Sequence, residues 1–296
     1  MPRPTGPVLT GRDYHVLGEV RRLRVATTEH LTRLCFTGSG RRVAQARLRR
    51  LAGDRYLDRR FFVAVRTGRS CLRRLRMPVY VLGPRGRAAL GDTTRTGKHT
   101  PGATNPEHLQ HDLVAVDFLV GVEAAFRNHE GIAVVHTYTE NALRKRTGET
   151  PRSERLGLVP DAAVVLRYGT RLAAFALEVV RAGVRSGNRT LRRKLLRYAD
   201  AARSGALARF LGAPVRAVIV AVPTARRARE LARVLHPTGL VWLVPYERAP
   251  AAGPPDTVFL HGLVATLPMP DLRGRTYTLT DPWTPLASAN PDLPHV

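Results

Sequence analysis

The sequence predicts a two-part α/β protein: three helices closed by a basic β-hairpin, then a mixed sheet covered on both faces by helices. Three observations carry that prediction. Apolar residues repeat at helical spacing through the first part and then give way to two strand-like runs. From position 106 onward, helical and strand-like stretches alternate. Between the parts, GDTTRTGKHTPGATNP at 91–106 has no apolar period and is rich in Gly, Thr and Pro, the composition of a linker. The expected division is 1–90, a linker at 91–106, a second domain at 107–247 and an irregular tail at 248–296.

In chain order, Val16, Val20 and Leu23 mark a first helix after Asp13, and Leu31 and Leu34 a second one entered through Thr27 and Thr28. A third follows Gly38-Ser39-Gly40, with Ser39 read as its N-cap and Ala44, Leu48 and Leu51 as its buried stripe. A helix packed by that stripe turns Arg42, Gln45 and Arg49 outward, with Arg41 preceding them. Guanidinium and amide groups are the side chains that pair bidentately with guanine and adenine edges in a major groove. RYLDRRFFVAVR and PVYVLG then read as two strands separated by TGRSCLRRLRM, and GRAAL as a terminal turn of helix. Three helices followed by a hairpin is the order of a winged helix-turn-helix. The hairpin region carries Arg59, Arg60, Arg66, Arg69, Arg73, Arg74 and Arg76, which would lie along phosphates.

Charge points the same way. The 296 residues carry a formal net charge of +25, of which +17 falls in residues 1–98 and +8 in residues 99–296. A balance this basic calls for an anionic partner, and double-stranded DNA is the one expected. Only Lys98, Lys145 and Lys194 are lysines, so arginine supplies nearly all the positive charge. Cys35 and Cys71 fall in different elements without metal-ligand spacing, which argues against a disulfide framework or a zinc site and for a reducing cytoplasm. No apolar stretch is long enough to span a bilayer, and MPRPTGPVLTG lacks the hydrophobic run of a signal peptide.

The second part opens with a long helix over roughly 106 to 128 on a Leu109, Leu113, Val116, Val120 and Ala124 stripe. Strands are expected at 132–140, 158–167, 172–180, 214–222 and 240–244, with helices at 188–204 and 224–236. Two strands, inside LVPDAAVVLRYGTRLAAFALEVV at 158–180, are nearly unbroken apolar runs, yet each carries one acid, Asp161 and Glu178. If Gly169-Thr170 is a two-residue turn, Tyr168 pairs with Arg171 and every facing pair sums to 339, as 161 and 178 do. Two facing carboxylates in a buried sheet repel and lose hydration, so a cation should lie between them or one should hold a proton. Mg²⁺ or Mn²⁺ suits such hard oxygen ligands. The alternative is that the acids bond arginines or lie at exposed strand ends.

Pro160-Asp161, an acid in the next strand and a following basic residue, after an initial helix and strand, resemble the PD-(D/E)XK nuclease superfamily. That resemblance implies a restriction-endonuclease-like core. The chain further resembles the replication-relaxation family over roughly residues 12–245, through His111 on the first core helix, Pro160-Asp161, Leu177-Glu178-Val179, and Lys194 with Tyr198. The family implies a winged helix joined to a nuclease-like core, with work in plasmid or mobile-element replication and mobilisation, in nucleoid- or plasmid-associated cytoplasm. It implies catalytic roles for Asp161, Glu178 and Lys194, with Asp161 and Glu178 as metal ligands. His111, Glu123, Glu140 and Tyr198 are accessory candidates. The nuclease pattern wants Lys two residues after the strand acid, where this chain has Val180, so Lys194 would substitute from the next helix. His108, His111 and Asp112 share a helical turn but read as a polar helix start rather than a zinc site. The competing function is a winged-helix transcriptional regulator whose second domain dimerises or senses a ligand; a homodimer or a replication protein is the expected protein partner.

Overall fold

The computed structural model describes residues 8–68, 71–92, 106–149, 156–180, 187–235, 239–246 and 267–284. Its class is mixed α/β, as the sequence predicts. Two compact units divide between Val116 and Asp117. The expected linker at 91–106 lies mostly outside the described residues.

In the first unit, α1 (Gly11–Leu23), α2 (Thr28–Cys35) and α3 (Arg41–Gly53) precede a hairpin of β2 (Leu57–Gly68) and β3 (Cys71–Leu82), with α4 (Pro84–Ala89) last. A two-residue strand, β1 (Ala26–Thr27), pairs with Tyr80 and Val79 to give the order β1-β3-β2. Helix α1 starts one turn earlier than its apolar period suggests, because Thr10 and Asp13 form a reciprocal capping box. Thr27 and His30 do the same for α2. The N-cap of α3 is Gly40 rather than Ser39. Ser39 is occupied by the preceding turn, its N–H donating to the Phe36 carbonyl at 2.9 Å. The segment TGRSCLRRLRM is mostly strand instead of connection: the register from Leu57↔Leu82 runs unbroken to Gly68↔Cys71, with Arg66 facing Arg73. Val16, Leu17, Val20, Leu31, Leu48 and Leu51 are fully buried and form the core on which these elements pack.

The second sheet takes β4 (Ile132–Thr139), β5 (Ala162–Tyr168), β6 (Arg171–Val179), β7 (Val215–Val222) and β8 (Val241–Pro245) in that order. Its first pairings are antiparallel, and β6-β7-β8 are parallel. Helices α5 (Pro106–Phe126), α6 (Glu140–Glu149), α7 (Gly187–Arg203), α8 (Ala206–Leu211) and α9 (Ala225–Val234) complete it. Two of these are absent from the sequence-based order. In α6 only Leu143 is buried, too sparse an apolar signal to reveal a helix, and α8 is six residues long.

Strand alternation assigns the two faces. Ala163 and Val165 of β5, Ala174 and Ala176 of β6, and Val218, Val220 and Val222 of β7 pack in one cluster with Leu195 and Tyr198 of α7, Leu207 of α8 and Leu231 of α9. On the opposite face Phe175 meets Trp242 at 5.8 Å, and Trp242 stacks on Tyr277 at 5.1 Å. Tyr277 belongs to β10 (Thr276–Tyr277), which pairs with β9 (Met269–Pro270). The described part of the segment expected to be an irregular tail therefore packs on the sheet. Tyr168 ties it down further, donating to the Leu279 carbonyl at 2.5 Å and meeting Trp283 edge-on at 4.8 Å.

Candidate functional site

The hairpin β5-β6 has the register that the Gly169-Thr170 turn predicts, from Tyr168↔Arg171 to Ala162↔Leu177. Gly169 takes φ 57°, a left-handed value that glycine adopts without steric cost. Alternation from Ala163 and Ala176 then turns Asp161 and Glu178 toward the face under α7. Asp161 is anchored at the strand end: its N–H donates to the Leu177 carbonyl at 3.0 Å, and its Oδ2 accepts from the Val179 N–H at 2.7 Å.

Helix α7 lays Leu195, Tyr198 and Ala201 on the sheet, which brings Lys194 and Tyr198, one turn apart, over the acids. Lys194 Nζ lies 2.5 Å from Glu178 Oε2 and 4.0 Å from Asp161 Oδ1. The Tyr198 hydroxyl donates to Glu178 Oε1. Glu178 is 4% exposed and Tyr198 fully buried, whereas the Lys194 side chain keeps 30% of its surface open to solvent. Burial, and after it the neighbouring Asp161 charge, push the Glu178 carboxyl up to about 8 against the opposing pull of Lys194 and Tyr198. Burial beside Glu178 also holds the Tyr198 hydroxyl well above its ordinary range.

The two acids thus lie beside one ammonium group, that of Lys194, on the same side of the sheet. Two carboxylates from adjacent strands also suit Mg²⁺ or Mn²⁺, whose other positions water and phosphate oxygens can supply. Among the described residues no cluster of three or more His, Cys, Asp or Glu side chains adds to the pair. The other sequence candidates have separate partners. Glu123 accepts from Thr137 at 2.7 Å, and Thr137 faces Val164 on the opposite side of the sheet from Asp161. Glu140 opens α6 and accepts from Arg144 Nε at 2.9 Å. His111 Nδ1 lies 3.3 Å from Asp112 Oδ1, about 18 Å along α5 from Glu123 at 1.5 Å per residue.

In the first unit, α3 buries Ala44, Leu48 and Leu51 and leaves Arg41, Arg42 and Arg49 exposed, with Gln45 half-buried. Arg47, absent from the sequence-based set, turns inward to the buried Asp13, donating from Nε to Oδ1 at 2.6 Å. Arg60 pairs with Asp58 at 2.8 Å, and Arg59 lies over the Phe61 ring at 4.8 Å. The backbones of Arg73, Arg74 and Arg76 are in β3, facing Arg66, Val65 and Val63; their side chains, and all of Arg69, lie outside the described residues.

The model of the replication-relaxation family matches residues 17–212, a span that contains α3, the hairpin β5-β6 and α7. The chain belongs to the replication-relaxation family. Membership ties the protein to replication-related work and brings Asp161, Glu178, Lys194 and Tyr198 inside the matched span. No curated protein and no solved structure matches the chain. No helix of this replication-relaxation protein, among the described residues, is long and apolar enough to cross a membrane.

Proposed function

We propose that this replication-relaxation protein binds double-stranded DNA through its first unit, acting as a winged helix, and cuts one strand through a PD-(D/E)XK-like site in its second. Plasmid or mobile-element replication and mobilisation is the setting this reading implies. The carrying observation is the approach of Lys194 to Glu178 and Asp161, which returns to the site the cation that Val180 fails to supply.

Phosphodiester hydrolysis builds negative charge on the phosphoryl oxygens, and preorganised cations lower the barrier most where that charge develops. Lys194 combines an ammonium beside both acids with partial exposure, so a substrate phosphate can reach it. Asp161, fixed by the Val179 N–H, holds one carboxylate oxygen toward Lys194, and Glu178 is oriented by Tyr198. A bound Mg²⁺ or Mn²⁺ would supply Lewis-acid stabilisation and a more acidic water. Exposed Arg42 and Arg49 on α3 have the chemistry for guanine edges, and Gln45 that for adenine.

Supercoiled plasmid incubated with Mg²⁺ or Mn²⁺ tests the reading. Wild-type protein should convert it to the nicked form, and Asp161→Asn should lose nicking while keeping gel-shift binding. Equal cleavage by both proteins would exclude the site. Binding to a palindromic footprint without metal-dependent nicking in the wild type would favour a transcriptional regulator.

A further inference from the structure

The outward face of α7 carries charge that the site does not use. Arg189, Arg192, Arg193 and Arg197 are exposed there, and Leu196 among them is 54% exposed. Spacings of three and four residues put these side chains on one stripe, and Lys194 borders it on the sheet side.

On other helices some arginines have an acid one turn away: Arg22 with Glu19, Arg33 with Glu29, Arg144 with Glu140, and Arg226 and Arg227 with Glu230. In α7 no acid occurs between Gly187 and Ala199, and Arg203 is the arginine served by Asp200. Arg189, Arg192 and Arg193 make no ion pair among the described residues, and Arg197 reaches only a neutral acceptor, the Gly157 carbonyl at 3.0 Å. Like charges one turn apart oppose helix formation. Among the described residues no acid offsets this repulsion, and a polyanion would relieve it.

We infer that the Arg189, Arg192 and Arg193 face of α7 is a second DNA-binding surface, which takes the phosphate backbone of a duplex strand and leads it to Lys194. The inference rests on the reading of the second unit as a strand-cutting core and names how that core holds its substrate. The stripe from Arg189 to Arg197 is about 12 Å long at 1.5 Å per residue. That length spans about three to four nucleotides of one strand at 3.4 Å each.

Fluorescence anisotropy of the full chain with a labelled duplex of about 30 base pairs, over a series of NaCl concentrations, tests it through counterion release. Arg189→Ala/Arg192→Ala/Arg193→Ala should make the slope of log affinity against log salt shallower by about 2 to 3. Lysine at all three positions should restore it, because phosphate contacts need the charge alone. The alanine variant should unfold at or above the wild-type temperature, since repulsion is relieved, so a lost slope will not reflect misfolding. A slope and affinity equal to wild type would overturn the inference. So would unchanged duplex binding with lost affinity for polyglutamate, which would assign the face to an acidic protein. Asp161→Asn separates this from the parent reading: unaltered nicking in that variant removes the proposed catalytic site, while a slope lost in the alanine triple still establishes the surface.

Discussion

At the residue scale, Glu178 is where burial and charge compete. Its carboxyl is raised from 4.5 to about 8, chiefly by burial and then by Asp161, so the folded protein binds a proton there that the unfolded chain releases at lower pH. Stability therefore falls as pH rises from about 4.5 to about 8. Denaturant midpoints measured against pH in the presence of a chelator should show this decline in the wild type and less of it in Glu178→Gln. Tyr198→Phe leaves Glu178 Oε1 without its buried donor and should cost about 1–3 kcal/mol in thermal unfolding. Both acids were legible as misfits in apolar strands. Tyr198 was visible only as part of a family motif, because nothing in an apolar helix stripe tells whether a tyrosine hydroxyl ends against a carboxylate or in water.

At the element scale, the turn fixes the site. Register in this hairpin follows from a two-residue loop and apolar runs, a local signal that a single sequence contains. Gly169→Ala forces a β-carbon into the left-handed region and should destabilise by about 1–2 kcal/mol, read as a lower unfolding temperature. A second local tie, Asp13 with Arg47, joins the start of α1 to α3. Burial would raise the Asp13 carboxyl, but the bonds from Arg47 and Thr10 outweigh it and hold it below 3.8. Its stabilisation is therefore present above that value and lost as pH falls through the depressed one. Asp13→Ala should cost about 1.5–3 kcal/mol at neutral pH, because Arg47 loses its charged hydrogen-bond partner and Thr10 its capping carboxylate. This tie was not legible. Arg47 sits in a run of arginines whose spacing gives no sign that one of them faces a capping aspartate 34 positions earlier. Helices α6 and α8 escaped for related reasons, one too polar and one too short for a period to emerge.

At the scale of the whole molecule, the proposed duplex binding makes net charge the quantity to test. With +25 formal charges, affinity for any duplex should fall steeply and linearly in log salt through counterion release. Arg42→Ala and Arg49→Ala should instead relax sequence preference, by about 1–3 kcal/mol per lost base contact, in selections from a random duplex pool. The order of most elements and the basic first third followed from composition and period alone. The docking of residues 267–284 did not, since Trp242 and Tyr277 are 35 positions apart and no local pattern links them. The central claim is that Asp161 and Glu178 share one cation position. Calorimetric titration of Mn²⁺ into full-length wild type, Asp161→Asn and Glu178→Gln measures it directly. One site should appear in the wild type and vanish in both variants; identical Mn²⁺ binding by all three proteins would contradict the account.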